Sequence, residues 1–162
     1  MPMTDAPRLA DLLAPDRVAV RVRADSREDA VAVAVGLLAD CPAVVDAARL
    51  AADIEAREAL MSTGVGEGLA LPHARTSAVT STVATLCTLV APVDWDAHDG
   101  EPVDLVLLFA GPEAARATHV RLLAHLSRVL SAAEARRRIA EAETPEALVA
   151  AVVAAEAGGA LR

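Results

Sequence analysis

The segment Arg57-Glu58-Ala59-Leu60-Met61-Ser62-Thr63-Gly64-Val65-Gly66-Glu67-Gly68-Leu69-Ala70-Leu71-Pro72-His73 is the most informative stretch of this chain of 162 residues. It reads as a helix ending in a cation, a loop forced by Gly64, Gly66 and Gly68, an apolar strand Leu69-Ala70-Leu71, and a histidine just past it. Pro72 fixes its own φ and biases Leu71 toward an extended backbone, so the chain reaches His73 in a constrained pose. Glycines let backbone N–H groups come close to an anion. A histidine held rigidly beside such donors suits a nucleophile toward phosphorus, or a general base. A Pro-His pair standing alone describes equally well a strand end with one structural hydrogen bond.

Upstream, residues 42–60 read as a helix with Ala47, Leu50 and Ile54 on one stripe. Arg57 falls three residues after Ile54 and seven after Leu50, where the stripe calls for another leucine. That spacing aims its guanidinium toward the sheet, and planar donors suit phosphate oxygens. The competing role is an arginine that bonds the last carbonyls of its own helix. Earlier still, Leu9 to Ala14 is a short apolar start, and Val18, Val20 and Val22 alternate with Ala19, Arg21 and Arg23 as a half-buried strand does. Ser26 and Asp29 form a capping pair that opens a helix to about Asp40.

Downstream, Thr82 to Val90 and Val103 to Phe109 suit strands buried on both faces, joined through a turn region at Asp94 to Pro102. From about Pro112 the pattern is helical to Leu130, then again over Ala132 to Ala142, and Thr144-Pro145-Glu146 opens a final helix. The order of elements predicts an α/β fold: a single domain with a mixed β-sheet and helices on both faces. His119 stands early in its helix and shares a face with Leu123, Leu126 and Leu130. Such a histidine is either a core residue or, near a helix N-terminus, a neutral donor to an anion. A bound phosphate favours the imidazolium, so its charge state stays open.

Composition narrows the chemistry. A net charge of −8, with every basic residue an arginine, argues against nucleic acid. The absence of lysine excludes a Walker lysine and a Schiff base. No apolar run spans a bilayer, the N-terminus lacks a signal sequence, and Cys41 and Cys87 form no Cys-x-x-Cys pair, so the reading is cytoplasmic without membrane insertion. No metal-binding spacing exists: His119 and His125 are six apart and diverge on a helix, His98 lies in an Asp-rich loop, and Cys87 reads as core. No Gly-x-Ser-x-Gly elbow supports a hydrolase.

At these residues the chain resembles the fructose/mannitol-type enzyme IIA of the bacterial phosphoenolpyruvate-dependent sugar phosphotransferase system, a superfamily that includes the nitrogen-regulatory enzyme IIA proteins. The resemblance is carried by Arg57-Glu58, Ser62-Thr63-Gly64, Gly66 and Gly68-Leu69-Ala70-Leu71-Pro72-His73. Asp99-Gly100-Glu101-Pro102-Val103 and His119 with Leu122-Leu123-Ala124 extend it, and it runs from about Leu9 to Val153 of one domain.

The resemblance implies that His73 accepts a phosphoryl group from phospho-HPr and hands it to a IIB domain for sugar uptake. Arg57 then neutralises phosphoryl charge, His119 bonds the phosphoryl oxygens or positions His73, and Thr63 supports the loop. No metal or nucleotide cofactor is implied, because the donor is another phosphohistidine. IIB and the membrane IIC lie on other chains in this reading, and IIC is reached only indirectly. The same resemblance admits a regulator whose phosphorylation state gates its contacts with other proteins. Val65, Leu69 and Leu71 are the candidate apolar rim that excludes water during transfer.

Overall fold

The two long apolar runs set the frame of the computed structural model, which describes residues 7–160. β5 (Val83–Val93) and β6 (Val103–Gly111) pair antiparallel through its centre. β1 (Val18–Val22) adds to β5 in parallel. On the other side lie three short strands, β2 (Gly64–Gly66), β3 (Leu69–Ala70) and β4 (His73–Arg75). β3 and β4 both run parallel to β6, while β2 is antiparallel to β3. The result is a mixed sheet in the order β1-β5-β6-β3-β2, with β4 also paired to β6.

Period-2 alternation divides the core between the two faces of this sheet. Leu105, Leu107 and Phe109 of β6 pack with Leu9, Leu122, Leu126, Ile139 and Leu148. Those residues come from α1 (Leu9–Leu12), α4 (Arg116–Leu130), α5 (Ala133–Glu141) and α6 (Pro145–Ala160). Val106, Leu108 and Ala110 face the opposite way, toward Val31 of α2 (Arg27–Gly36) and Leu50 and Ile54 of α3 (Ala47–Leu60). With both faces covered, the central strands read as continuous apolar runs, as expected. Each fully buried leucine contributes roughly 1.5–3 kcal/mol of burial.

Local chemistry starts the helices where the sequence indicates. The Ser26 hydroxyl accepts the Asp29 N–H at 3.1 Å, and the Thr144 hydroxyl accepts the Ala147 N–H at 3.1 Å. Other boundaries move. α3 begins at Ala47 rather than Pro42, because the preceding backbone pairs elsewhere: Val45 N–H donates to Ala78 and Thr80 N–H donates to Ala43, each at 2.8 Å. Asp46 then caps the helix by accepting the Arg49 N–H at 3.0 Å. Ala47 is exposed, so the buried stripe starts at Leu50. α2 stops at Gly36 and gives way to turns, and α4 starts at Arg116 rather than Pro112.

The glycine segment is a tight β2–β3 hairpin rather than an open loop. Gly66 and Gly68 have φ of +103° and +83°, which a side chain adopts only with strain. A Cβ on Gly68 would also stand 2.9 Å from the Asp104 carboxylate.

Candidate active site

His73 opens β4, a short strand of its own, and its register on β6 sets it opposite Phe109. The Phe109 N–H donates to the Pro72 carbonyl at 3.0 Å, which pins the chain just before the histidine. His73 Nδ1 lies 2.8 Å from the Leu71 carbonyl. A carbonyl only accepts, so Nδ1 carries the proton and Nε2 of the neutral ring keeps its lone pair. The ring lies on Phe109, with centroids 5.1 Å apart and planes 13° from parallel.

His119 completes an aromatic triangle. Its ring centroid is 5.3 Å from that of His73 and 4.9 Å from that of Phe109. It is buried at the head of a stripe that continues through Leu122, Leu126, Val129 and Leu130, with Leu123 partly buried against the same cluster. Its Nδ1 is buried without a hydrogen-bond partner among the described residues.

Burial is the main reason both rings stay neutral. It pushes His73 below its ordinary pKa; the Leu71 hydrogen bond opposes that, the Arg57 charge adds to it, and Glu58 opposes it. Burial, then the adjacent His73, Arg75 and Arg57, push His119 down to about 4. Two neutral imidazoles therefore face each other with cations nearby. One offers a free in-plane lone pair, the attribute of a nucleophile.

Arg57 is half-buried in the last turn of α3, and its Nη1–H donates to the Met61 carbonyl at 3.0 Å. It thus fills the helix-end role, while its charge is felt at both histidines. The buried stripe of α3 passes instead from Leu50 and Ile54 to Glu58, at steps of four. Thr63 is buried under the hairpin, where its hydroxyl and N–H both donate to the Glu58 carboxylate. Its carbonyl accepts the Leu71 N–H at 3.0 Å, so it supports the strand leading to His73.

Several expectations change. Two of the hairpin N–H groups are taken internally and are not available to an anion: Glu67 N–H by Asp99 at 2.8 Å and Gly64 N–H by the Ser62 hydroxyl at 3.1 Å. Of the expected apolar rim, Leu69 and Leu71 are core residues and only Val65 is exposed. Phe109 and Arg75 were not singled out in the sequence, and Glu58 entered only as part of the Arg57-Glu58 pair that carries the resemblance, with no role of its own. The four-residue step from Ile54 points to Glu58, and strand alternation puts Arg75 on the same face of β4 as His73. Nothing in the sequence marks Phe109 as more than core.

The remaining candidates lie elsewhere. His98 is exposed, and His125 Nε2 lies 2.7 Å from Glu156. Cys87 is core, its thiol pushed up to about 12 by burial. Among the described residues no group of three His, Cys, Asp or Glu is arranged to hold a metal. No helix among them is long and apolar enough to cross a membrane.

A mixed sheet with both faces covered by helices is the α/β fold of IIA proteins. The structure of nitrogen regulatory protein IIA-Ntr from Neisseria meningitidis matches it with a TM-score of 0.82 at 27% identity, over 89% of this chain and 98% of that one. Residues 11–154 match the family described as phosphoenolpyruvate-dependent sugar phosphotransferase system, EIIA 2, and the chain belongs to that family. It is 39% identical over 151 residues to a nitrogen regulatory protein of Pseudomonas aeruginosa, covering 93% of this chain and 98% of that protein. It is also 37% identical over 139 residues to the PTS system 2-O-alpha-mannosyl-D-glycerate-specific EIIABC component of Escherichia coli, covering 85% of this chain and 21% of that longer protein.

Proposed function

We propose that this chain carries a phosphoryl group on Nε2 of His73. The observation behind this reading is the 2.8 Å contact from His73 Nδ1 to the Leu71 carbonyl, which leaves Nε2 as the nitrogen with a lone pair. The donor is a phosphohistidine of an HPr-type protein. The Nε2 lone pair forms the new N–P bond as the donor's N–P bond breaks, and that electron pair returns to the donor nitrogen. Charge on the migrating group is spread over its equatorial oxygens, so the protein's task is alignment and charge stabilisation. The unpartnered Nδ1 of His119, on a ring beside that of His73, can donate to one of those oxygens, and the Arg57 charge favours all of them. Arg75, on the face of β4 that carries His73, adds a second cation.

The test is incubation with phosphoenolpyruvate, enzyme I and HPr, followed by intact mass. One acid-labile phosphoryl group is expected on the wild type and none on His73→Ala. Label that persists in His73→Ala removes the assignment.

The group's destination has two readings. In the first, a separate IIB of the fructose or mannitol class takes it for sugar uptake, and the chain works in the cytoplasm beside a membrane IIC. The second is favoured by the likeness to the Pseudomonas nitrogen regulatory protein over nearly its full length. There the added charge changes affinity for another protein, without onward transfer. Offering the phosphorylated chain to the host's IIB proteins separates them. Rapid loss of label supports transport; label retained with every IIB, with a partner selective for one phosphorylation state, supports regulation.

A further inference from the structure

Glu58 is a carboxylate on the sheet-facing stripe of α3, 3% exposed and in line with Leu50 and Ile54. A buried carboxylate is costly unless its oxygens are fully occupied. Here they are. Oε2 accepts the Thr63 N–H at 2.6 Å, and Oε1 accepts the Thr63 hydroxyl at 2.5 Å and the Trp95 indole N–H at 3.1 Å. Trp95 is itself fully buried, and its carbonyl accepts the Ser62 hydroxyl at 2.6 Å. One side chain thus clamps both sides of the turn from α3 into β2.

The clamp continues to the imidazole. Thr63, held by Glu58, takes the Leu71 N–H on its carbonyl at 3.0 Å, and the Leu71 carbonyl takes the His73 Nδ1 proton at 2.8 Å. Three hydrogen bonds in series therefore connect Glu58 to the ring. We propose that Glu58 is a positioning residue for His73: through Thr63 it fixes the Leu71 carbonyl, which holds the imidazole in the Nδ1–H tautomer with Nε2 bare. This deepens the phosphoryl-carrier reading and rests on it for its functional consequence. The negative charge of Glu58 also favours positive charge on the ring, opposing Arg57 as Nε2 gives up its lone pair.

The residue type matters, not only its size. Three donors converge on two acceptor oxygens. An amide offers one acceptor and turns its NH2 group toward a donor, so Glu58→Gln forces Thr63 or Trp95 to move. A clamp that only stabilises the hairpin would lower the melting temperature and leave the ring unchanged. A positioning clamp alters the ring itself.

The measurement is the side-chain nitrogen spectrum of His73 in the unphosphorylated protein, which distinguishes a bare nitrogen from a protonated one. Wild type is expected as the Nδ1–H form. Glu58→Gln is expected to admit the Nε2–H form and to accept phosphate on the order of tenfold more slowly, with the KM for the donor protein unchanged. Thr63→Val, which removes one donor to Glu58, should shift the tautomer the same way, and Thr63→Ser should restore it. A folded Glu58→Gln with wild-type tautomer and rate overturns the proposal. If Glu58→Gln fails to fold, a wild-type tautomer in Thr63→Val overturns it. The tautomer is read without phosphorylation, so a wild type that takes no label while Glu58→Gln shifts the ring would sink the carrier reading and keep the clamp.

Discussion

The ring of His73 lies 13° from parallel with that of Phe109, their centroids 5.1 Å apart, although the two come from different strands. The parallel pairing of β4 with β6 makes that contact, and Phe109 is the surface against which the imidazole is held. Phe109→Leu removes the surface while keeping most of the apolar volume. The expected result is a stability loss of about 1–2 kcal/mol and phosphorylation slowed roughly tenfold. Denaturant unfolding and quench-flow labelling check the two, and an unchanged rate reduces Phe109 to a core residue.

Arg57 is tied to Met61 yet felt at both histidines. Arg57→Ala should leave stability within about 1 kcal/mol, the value of one exposed helix-end contact. It should slow transfer by about one to two decades, as loss of a charge-assisted contact worth roughly 1.5–3 kcal/mol predicts. Unchanged transfer kinetics would leave Arg57 only its helix-end bond.

The expected role of His119 is to assist transfer at His73 without carrying the group. His119→Ala should still accept a phosphoryl group at His73, with altered rates in one or both directions. Peptide mapping of the labelled wild type decides the matter, and stable label on His119 would exchange the two roles.

Acid sensitivity follows from the same ring. His119 sits at about 4 in the folded protein against an ordinary 6.5, so between those values the unfolded chain binds a proton that the folded one does not. Stability is then complete above about pH 6.5 and falls as pH drops toward 4, by up to about 3 kcal/mol. The lowered His73 acts in the same direction. Urea unfolding at pH 7 and pH 4.5 should show a smaller difference in His119→Gln than in wild type; equal differences would refute the assignment.

Glu156 joins the two ends of the described chain. Its carboxylate accepts the N–H groups of Leu9 and Ala10 at 2.6 and 2.8 Å and meets His125 at 2.7 Å. Glu156→Ala should cost about 2–4 kcal/mol by leaving those donors unpaired, or by releasing α1. The rate of phosphorylation at His73 should not change. Limited proteolysis near Leu9 reports the release, and wild-type resistance there would count against the anchor.

The sequence by itself determined the α/β class, the two central strands and the caps at Ser26 and Thr144, and its local patterns singled out His73, His119 and Arg57 as candidates, with Thr63 added only by family resemblance. These are local signals: period-2 and period-3.6 patterns, capping side chains and a proline before a histidine, each written within a few residues. Only the tertiary structure decided that the Glu67 and Gly64 N–H groups go to Asp99 and Ser62, that helix α3 turns Glu58 rather than Arg57 into the core, and that Phe109 lies under the imidazole. Those outcomes depend on pairing between segments far apart in the chain. A side chain's partner there is set by strand register and by which buried donors still need an acceptor, and neither is a property of neighbouring residues.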